Sequence, residues 1–165
     1  MAVAPVLADA CLRRGLDPVP FLLALACAAN IGSAATLIGN PQNMLIGEVL
    51  KLPFDGYFLE AVVPGPLFAA ALVLSNVVSN VPAVMLLLPA ATEPFSGPML
   101  ALVSTLAGNL LIVGSIANII VVDAARRQGI AIDWRRHLRT GVPVTIATLA
   151  ITALWFGWRA GAMSF

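Results

Sequence analysis

Two stretches of amides and helix breakers recur inside apolar sequence at one fixed spacing. Gly39-Asn40-Pro41-Gln42-Asn43 returns 75 positions later as Gly114-Ser115-Ile116-Ala117-Asn118. Proline, glycine and bare amides are costly in hydrocarbon unless the interrupted backbone lines a site. An interrupted helix has useful chemistry at both cut ends. The first half ends in unpaired carbonyls, which suit a small cation such as Na+. The second half begins with free N–H groups and a positive dipole end, which suit an anion. Asn40, Asn43, Ser115 and Asn118 supply neutral ligands beside those ends. A third polar stretch, Ser75-Asn76-Val77-Val78-Ser79-Asn80-Val81-Pro82, can close such a site from a hairpin tip at Ser79 and Asn80. Paired interruptions in corresponding positions point to the binding site of a secondary transporter.

The elements that must hold these residues belong in a membrane. The hydrophobic fraction is 60%, the charged fraction 10% and the mean hydropathy +0.96, against roughly 25% charged in a soluble domain. Four windows hold no Asp, Glu, Lys or Arg: 18–47, 61–92, 94–122 and 140–158. A spanning helix needs about 20 mostly apolar residues, so each window admits a crossing. A net charge of +1 gives no electrostatic support for a nucleic-acid partner. Arg13 and Arg14 follow the first apolar stretch rather than precede it, which is not the layout of a signal peptide. Cys11 and Cys27 are too few for a disulfide framework, and Cys27 reads as an inert packing residue.

The expected fold is an all-α integral membrane protein. It has about four transmembrane helices, two of them broken at Gly-x-x-x-Asn motifs, and one re-entrant helical hairpin. The whole chain, 1–165, reads as one transmembrane domain. The first span covers about 20–50, broken near 39–43. A polar connection follows at 51–60, and the second span covers about 58–74, with Pro64 and Pro66 in its first turns. The hairpin occupies about 75–92. The third span covers about 99–122, broken near 114–118. An Arg-rich loop over 126–139 leads to a last span at about 142–158. The duplication extends past the breaks: Asp55, Leu59 and Pro64 are matched in order by Asp133, Leu138 and Pro143. The repeat units are therefore about 20–74 and 98–158.

Simpler readings carry weight at several positions. Gly32, Ser33, Ala34, Ala35 and Gly108 are small residues that let helices approach closely. Asn30 and Asn109 suit an interhelical hydrogen bond as well as they suit substrate contact. Thr36 can satisfy its own helix's carbonyls. Arg126, Arg127, Arg135, Arg136 and Arg139 set orientation rather than bind an anion, and His137 among them reads as solvated. Trp155 and Trp158 fit an interfacial aromatic belt. No enzyme constellation is present: there is no His/Cys metal spacing, nucleophile elbow or phosphate loop. No charged residue lies in the apolar windows, so no buried carboxylate proton relay is visible.

These segments resemble the ion transporter superfamily, which includes arsenite permeases, sodium/proton antiporters of the same fold and divalent-anion/sodium symporters. Residues 30–43 look like the family's first broken helix, Ser79-Asn80-Val81-Pro82 like its second hairpin tip, and 106–118 like its second broken helix. The resemblance implies cation and substrate sites at Gly39, Asn40, Pro41, Asn43, Ser79, Asn80, Gly114, Ser115 and Asn118, with Na+ at Gly39, Ser79, Asn80 and Gly114. Asn43, Asn118 and Asn80 carry the strongest expectation. Where the anion symporters carry a hairpin threonine this chain has Val81, which argues against a dicarboxylate.

The implied activity is secondary transport of a small anion or oxyanion, coupled to Na+ or H+ and needing no other cofactor. The alternative is a non-transporting subunit or inactive remnant that only packs with partner helices. The family's first hairpin and several helices have no counterpart here, so the chain reads as an internally deleted permease or as part of a larger assembly. Arg13–Arg14 and 126–139 both belong on the cytoplasmic side, which requires an even number of crossings between them. The expected setting is the inner (plasma) membrane, multi-pass. The expected partners are lipid, a small anion, and a second copy or other helices.

Overall fold

A computed structural model describes residues 3–34, 38–51, 65–92 and 96–162. Ala35, Thr36, most of the 51–60 connection, the start of the second expected span and the repeat positions Asp55, Leu59 and Pro64 lie outside the described residues. Every regular element among those described is helical. In order these are α1 (Val3–Arg13), α2 (Pro18–Ala34), α3 (Pro41–Leu50), α4 (Gly65–Val78), α5 (Asn80–Leu87), α6 (Ser96–Ala107), α7 (Ile116–Arg127) and α8 (Trp134–Ala162). Short 3-10 turns follow α5 at Leu88–Ala90 and precede α7 at Ile112–Gly114.

The centre of the molecule is α6. Every residue from Ser96 to Ala107 is buried, as expected of a helix that is apolar around its whole circumference. It packs against α2, α3, α4, α5 and α8. Met99, Leu100 and Val103 meet Ile46 of α3, Leu67 and Ala71 of α4 and Val84 of α5 in the main core. A second cluster joins α1, α2 and α7 through Ala4, Ala8, Leu22, Ala26, Val121 and Ala125. The first helix, α1, precedes the spans read from the sequence. It carries an exposed Asp9–Arg13 pair one turn apart, the arrangement of a surface-facing helix.

Three boundaries differ from the sequence reading, each for a local reason. No helix boundary falls at Ser75, where the sequence reading starts its hairpin, because α4 runs on to Val78. Asn76 stays helical by donating its amide to the Leu72 carbonyl one turn back, at 3.0 Å. The bend is the single residue Ser79 (φ 72°, ψ 163°), after which Pro82 sits in the first turn of α5, where a missing N–H does no harm. The last helix starts at Trp134 rather than near 142. Asp133 Oδ1 accepts the Arg136 N–H at 2.7 Å and so caps its N-terminus. The second interruption, 108–115, opens earlier than the Gly-x-x-x-Asn motif, and Asn118 lies in the first turns of α7. Likewise Pro41, Gln42 and Asn43 already belong to α3.

Among the described residues, α8 is the helix long and apolar enough to cross a bilayer, over Trp134–Trp155. It ends in a tilted pair of exposed tryptophans, Trp155 and Trp158, with ring centroids 5.5 Å apart. Helix α2, with 17 residues, is about 26 Å long at 1.5 Å per residue. That falls short of the roughly 30 Å hydrocarbon layer.

Candidate functional site

The duplicated motif is duplicated in its bonding as well. Asn43 Nδ2 donates to the Ser33 carbonyl at 3.1 Å. Asn118 Nδ2 donates to the Gly108 carbonyl at 2.8 Å. Both bonds span ten residues, and both ends are related by the 75-residue offset of the sequence motif. The glycines follow the same rule. A Cβ on Gly39 would collide with the Ser33 backbone, and one on Gly114 would meet the Gly108 carbonyl at 3.0 Å. In each copy, then, the asparagine and glycine staple the start of one helix to the end of the helix before it.

The two copies also hold each other. Ser115 Oγ donates to Asn30 Oδ1 at 2.7 Å, and its counterpart Asn40 donates to Thr105 Oγ1 at 3.4 Å. Asn30 is the hub of this network. Its Nδ2 donates to Asn109 Oδ1 at 2.7 Å and to Asn118 Oδ1 at 3.2 Å. Gln42 Nε2 adds a bond to Thr105 Oγ1 at 3.0 Å. Asn30, Gln42, Thr105, Asn109 and Asn118 are all buried, so these bonds satisfy groups that would otherwise cost about 1–3 kcal/mol each.

Three helix N-termini open onto one cavity of about 210 Å³. Each contributes its cap and first two helical residues: Asn40, Pro41 and Gln42 of α3, Ser79, Asn80 and Val81 of α5, and Ser115, Ile116 and Ala117 of α7. Ile120 completes the wall, and no lining side chain is ionisable. The first-turn N–H groups of a helix lack an intrahelical acceptor. Ser115 Oγ accepts one of them, from Ala117, at 3.2 Å, whereas Asn40 and Ser79 make no such side-chain cap.

Of the nine residues expected at the site, Asn40, Pro41, Ser79, Asn80 and Ser115 line the cavity. Asn43 and Asn118 hold backbone carbonyls instead, and Gly39 and Gly114 make the close approaches that bring the helix ends together. Gln42 lies between two residues of the motif yet was passed over as a site residue. Its signal was its place in the first turn after a break, beside the cap.

Asn80 sits at the mouth of the second interruption. Its side chain is 2.9–3.1 Å from the position a Gly108 Cβ would take. With its amide nitrogen turned inward, it donates to the carbonyls of Ser104, at 3.2 Å, and Gly114. His137 is a correction to the sequence reading, which left it solvated: it is 2% exposed. Its Nε2 lies 3.1 Å from the Asn109 carbonyl, and its first-turn neighbours Arg135 and Arg136 face outward.

Residues 1–74 match the citrate transporter family. The chain is 40% identical over 72 residues to the magnetosome protein MamN of Paramagnetospirillum magneticum, covering 44% of this chain and 16% of that one. It is 55% identical over 47 residues to the silicon efflux transporter LSI3 of Oryza sativa subsp. japonica (28% of this chain, 10% of that). It is 39% identical over 59 residues to the uncharacterized transporter MT2759 of Mycobacterium tuberculosis (36% and 14%). The matched part thus spans about a sixth or less of each relative's length. No solved structure matches.

Over these stretches the chain is similar to proteins named as transporters. The matches support, over the stretches they cover, the resemblance to ion transporter superfamily permeases read from the sequence.

Proposed function

We infer that the chain contributes the anion-binding half-site of a secondary permease, in which a small oxyanion sits where the N-termini of α3, α5 and α7 converge. One observation carries this reading: the same three positions of three different helices line one uncharged cavity. Each N-terminus is worth roughly +0.5 elementary charge, so three give about +1.5. That balances a singly or doubly charged anion without a lysine or arginine. A tricarboxylate would leave charge uncompensated in a buried setting. The cavity, about 210 Å³, is also below the roughly 300 Å³ at which pockets for larger ligands begin. Between the citrate named for the family and the silicon named for the rice relative, these features favour the smaller species.

The coupling cation fits the other cut ends. A cation there would take the Ser104 and Gly114 carbonyls once the Asn80 amide turns over, exchanging its donation to both for an oxygen beside them. Of the residues expected to hold Na+, Ser79, Asn80 and Gly114 lie around this point, while Gly39 is packed on Ser33. In this reading α2–α3 and α6–α7 are broken spans, α4–α5 is the hairpin, and the chain sits in the plasma membrane. It completes itself there with a second copy or with partner helices.

The test is thermal stability of the detergent-purified chain with and without Na+, against arsenite, sulfate and citrate. A ligand that binds only the native state must stabilise it. The expected result is a Na+-dependent rise that deepens with sulfate and not with citrate. Asn80→Ala is expected to remove the rise, and with it coupled uptake, while the protein still inserts in the membrane. A second reading has its own observation: Asn30 already bonds Asn109 and Asn118 across helices, as in a subunit that only packs. A flat response from a folded, monodisperse sample would favour it.

A further inference from the structure

We propose that His137 is a positioning residue for the second interruption, setting how tightly the cavity binds without touching what it binds. The proposal rests on the anion-site reading above for its functional part and on hydrogen bonds alone for its structural part. The chain has a single histidine, buried in the first turns of a helix whose neighbouring arginines are exposed. Among the described residues no Asp, Glu, Lys or Arg is buried, so this imidazole is unusual in being drawn inside.

What draws it in is the broken end of α6. A carbonyl only accepts, so the 3.1 Å contact to Asn109 fixes the proton on Nε2. That bond satisfies one of the carbonyls left without a helical donor where α6 stops. One turn further on, Gly141 presses the α8 backbone onto the same place. A Cβ there would collide with the Asn109 carbonyl and stand 3.2 Å from that of Leu110. His137 and Gly141 together clamp α8 onto the loose end.

The clamp reaches the cavity in two steps. Asn109 Oδ1 receives Asn30, and Asn30 Oδ1 receives Ser115 Oγ, the cap of α7 and a lining residue. Asn109 is thus held by its backbone from α8 and through its side chain holds the hub. The first interruption has no such strut in the described structure. Nδ1 of His137 and Nδ2 of Asn109 are both buried without a partner, and His137 borders a second cavity with Leu111, Ile112 and Val113. The strut is therefore bonded on one edge and unsupported on the other, as a part that moves with the break would be.

The experiment compares His137→Leu, which removes the donor, with His137→Gln, whose amide can restore it. The first readout is amide exchange of the full chain without ligand. His137→Leu is expected to speed exchange over 108–118 roughly tenfold, about the factor one lost buried hydrogen bond gives, with other helices unchanged. His137→Gln should return to within about twofold of wild type. The second readout is the concentration of sodium sulfate that half-saturates the thermal shift. It is expected to rise about tenfold in His137→Leu, with the maximal shift retained, as for support residues behind a binding shell. Unchanged exchange over 108–118, or a Gln variant that behaves as Leu, overturns the proposal. A wild-type protein with no sulfate response would sink the anion site yet leave the exchange comparison to decide His137. If His137→Leu fails to fold, the nitrogen spectrum of the lone histidine decides instead: a proton on Nε2 upholds the strut, and one on Nδ1 overturns it.

Discussion

The two interruptions share one plan and differ in how firmly they are built. In the first, Asn43 holds the Ser33 carbonyl, and Asn40 leaves the α3 N-terminus without a side-chain cap while bonding Ser33 Oγ and Thr105. In the second, Asn118 holds two carbonyls, Gly108 and Leu111, and accepts from Asn30. Ser115 caps α7, and α8 clamps the α6 end through His137. The α3 N-terminus therefore keeps its first-turn N–H groups free of a side-chain cap, whereas the α7 N-terminus is capped and the α6 end before it is clamped. A binding site needs both: one end rigid enough to hold geometry, the other open enough to accept a ligand.

That comparison can be broken by substitution. The largest effect is expected from Asn118→Leu, which orphans two carbonyls and the Asn30 hub. A loss of about 3 kcal/mol follows from the cost of unsatisfied buried groups, read by denaturant unfolding in micelles. Asn43→Leu orphans the Ser33 carbonyl and should cost about 1–3 kcal/mol. No measurable loss would mean that Asn43 does not staple the first break. Next come the glycines. Gly39→Ala drives a methyl into the Ser33 backbone, whereas at Gly114 one of the nearest atoms is the end of the Asn76 side chain. Overpacking costs typically 1–3 kcal/mol, and Gly39→Ala should fall at the upper end and Gly114→Ala at the lower. A reversed order would show that the first break yields more easily than its backbone contact suggests. The smallest contrast is between the caps. Ser115→Ala should lose about 2 kcal/mol, from its N-cap and its bond to Asn30 together, and Asn40→Ala about 1 kcal/mol, from its bonds to Ser33 and Thr105 alone. A larger loss at Asn40 would place the tighter terminus on α3.

Much of this was legible in the sequence because the signals were local. Chain breakers at a fixed offset fall where α3 and α7 begin, and Ser79-Asn80 falls at the bend between α4 and α5. What escaped notice depended on tertiary contact. Asn30 and Asn109 offered packing and ligation as equal readings, and only their mutual distances make Asn30 a hub. His137 sat in an Arg-rich run and looked solvated, because nothing in its neighbours' chemistry shows that a helix end lacking donors lies against it. Asn43 and Asn118 drew attention as bare amides in apolar surroundings. Their partners proved to be the carbonyls that the breaks themselves release, so an amide beside a broken helix is first a staple and only then a ligand. The boundaries of α4 and α8 were displaced by single side chains, Asn76 bonding back to Leu72 and Asp133 capping Arg136.

The most direct test of the convergent N-termini is to supply the anion from the chain. Ile116 is the first helical residue of α7, lines the cavity and is 54% exposed, so an aspartate there would meet the positive ends without being forced into an apolar core. The measurement is the melting temperature of wild type and Ile116→Asp with and without sodium sulfate. The tethered carboxylate is expected to raise the melting temperature without sulfate and to abolish the sulfate-dependent rise. A variant that is no more stable than wild type, and that still responds fully to sulfate, would contradict the claim that these helix ends form one anion site.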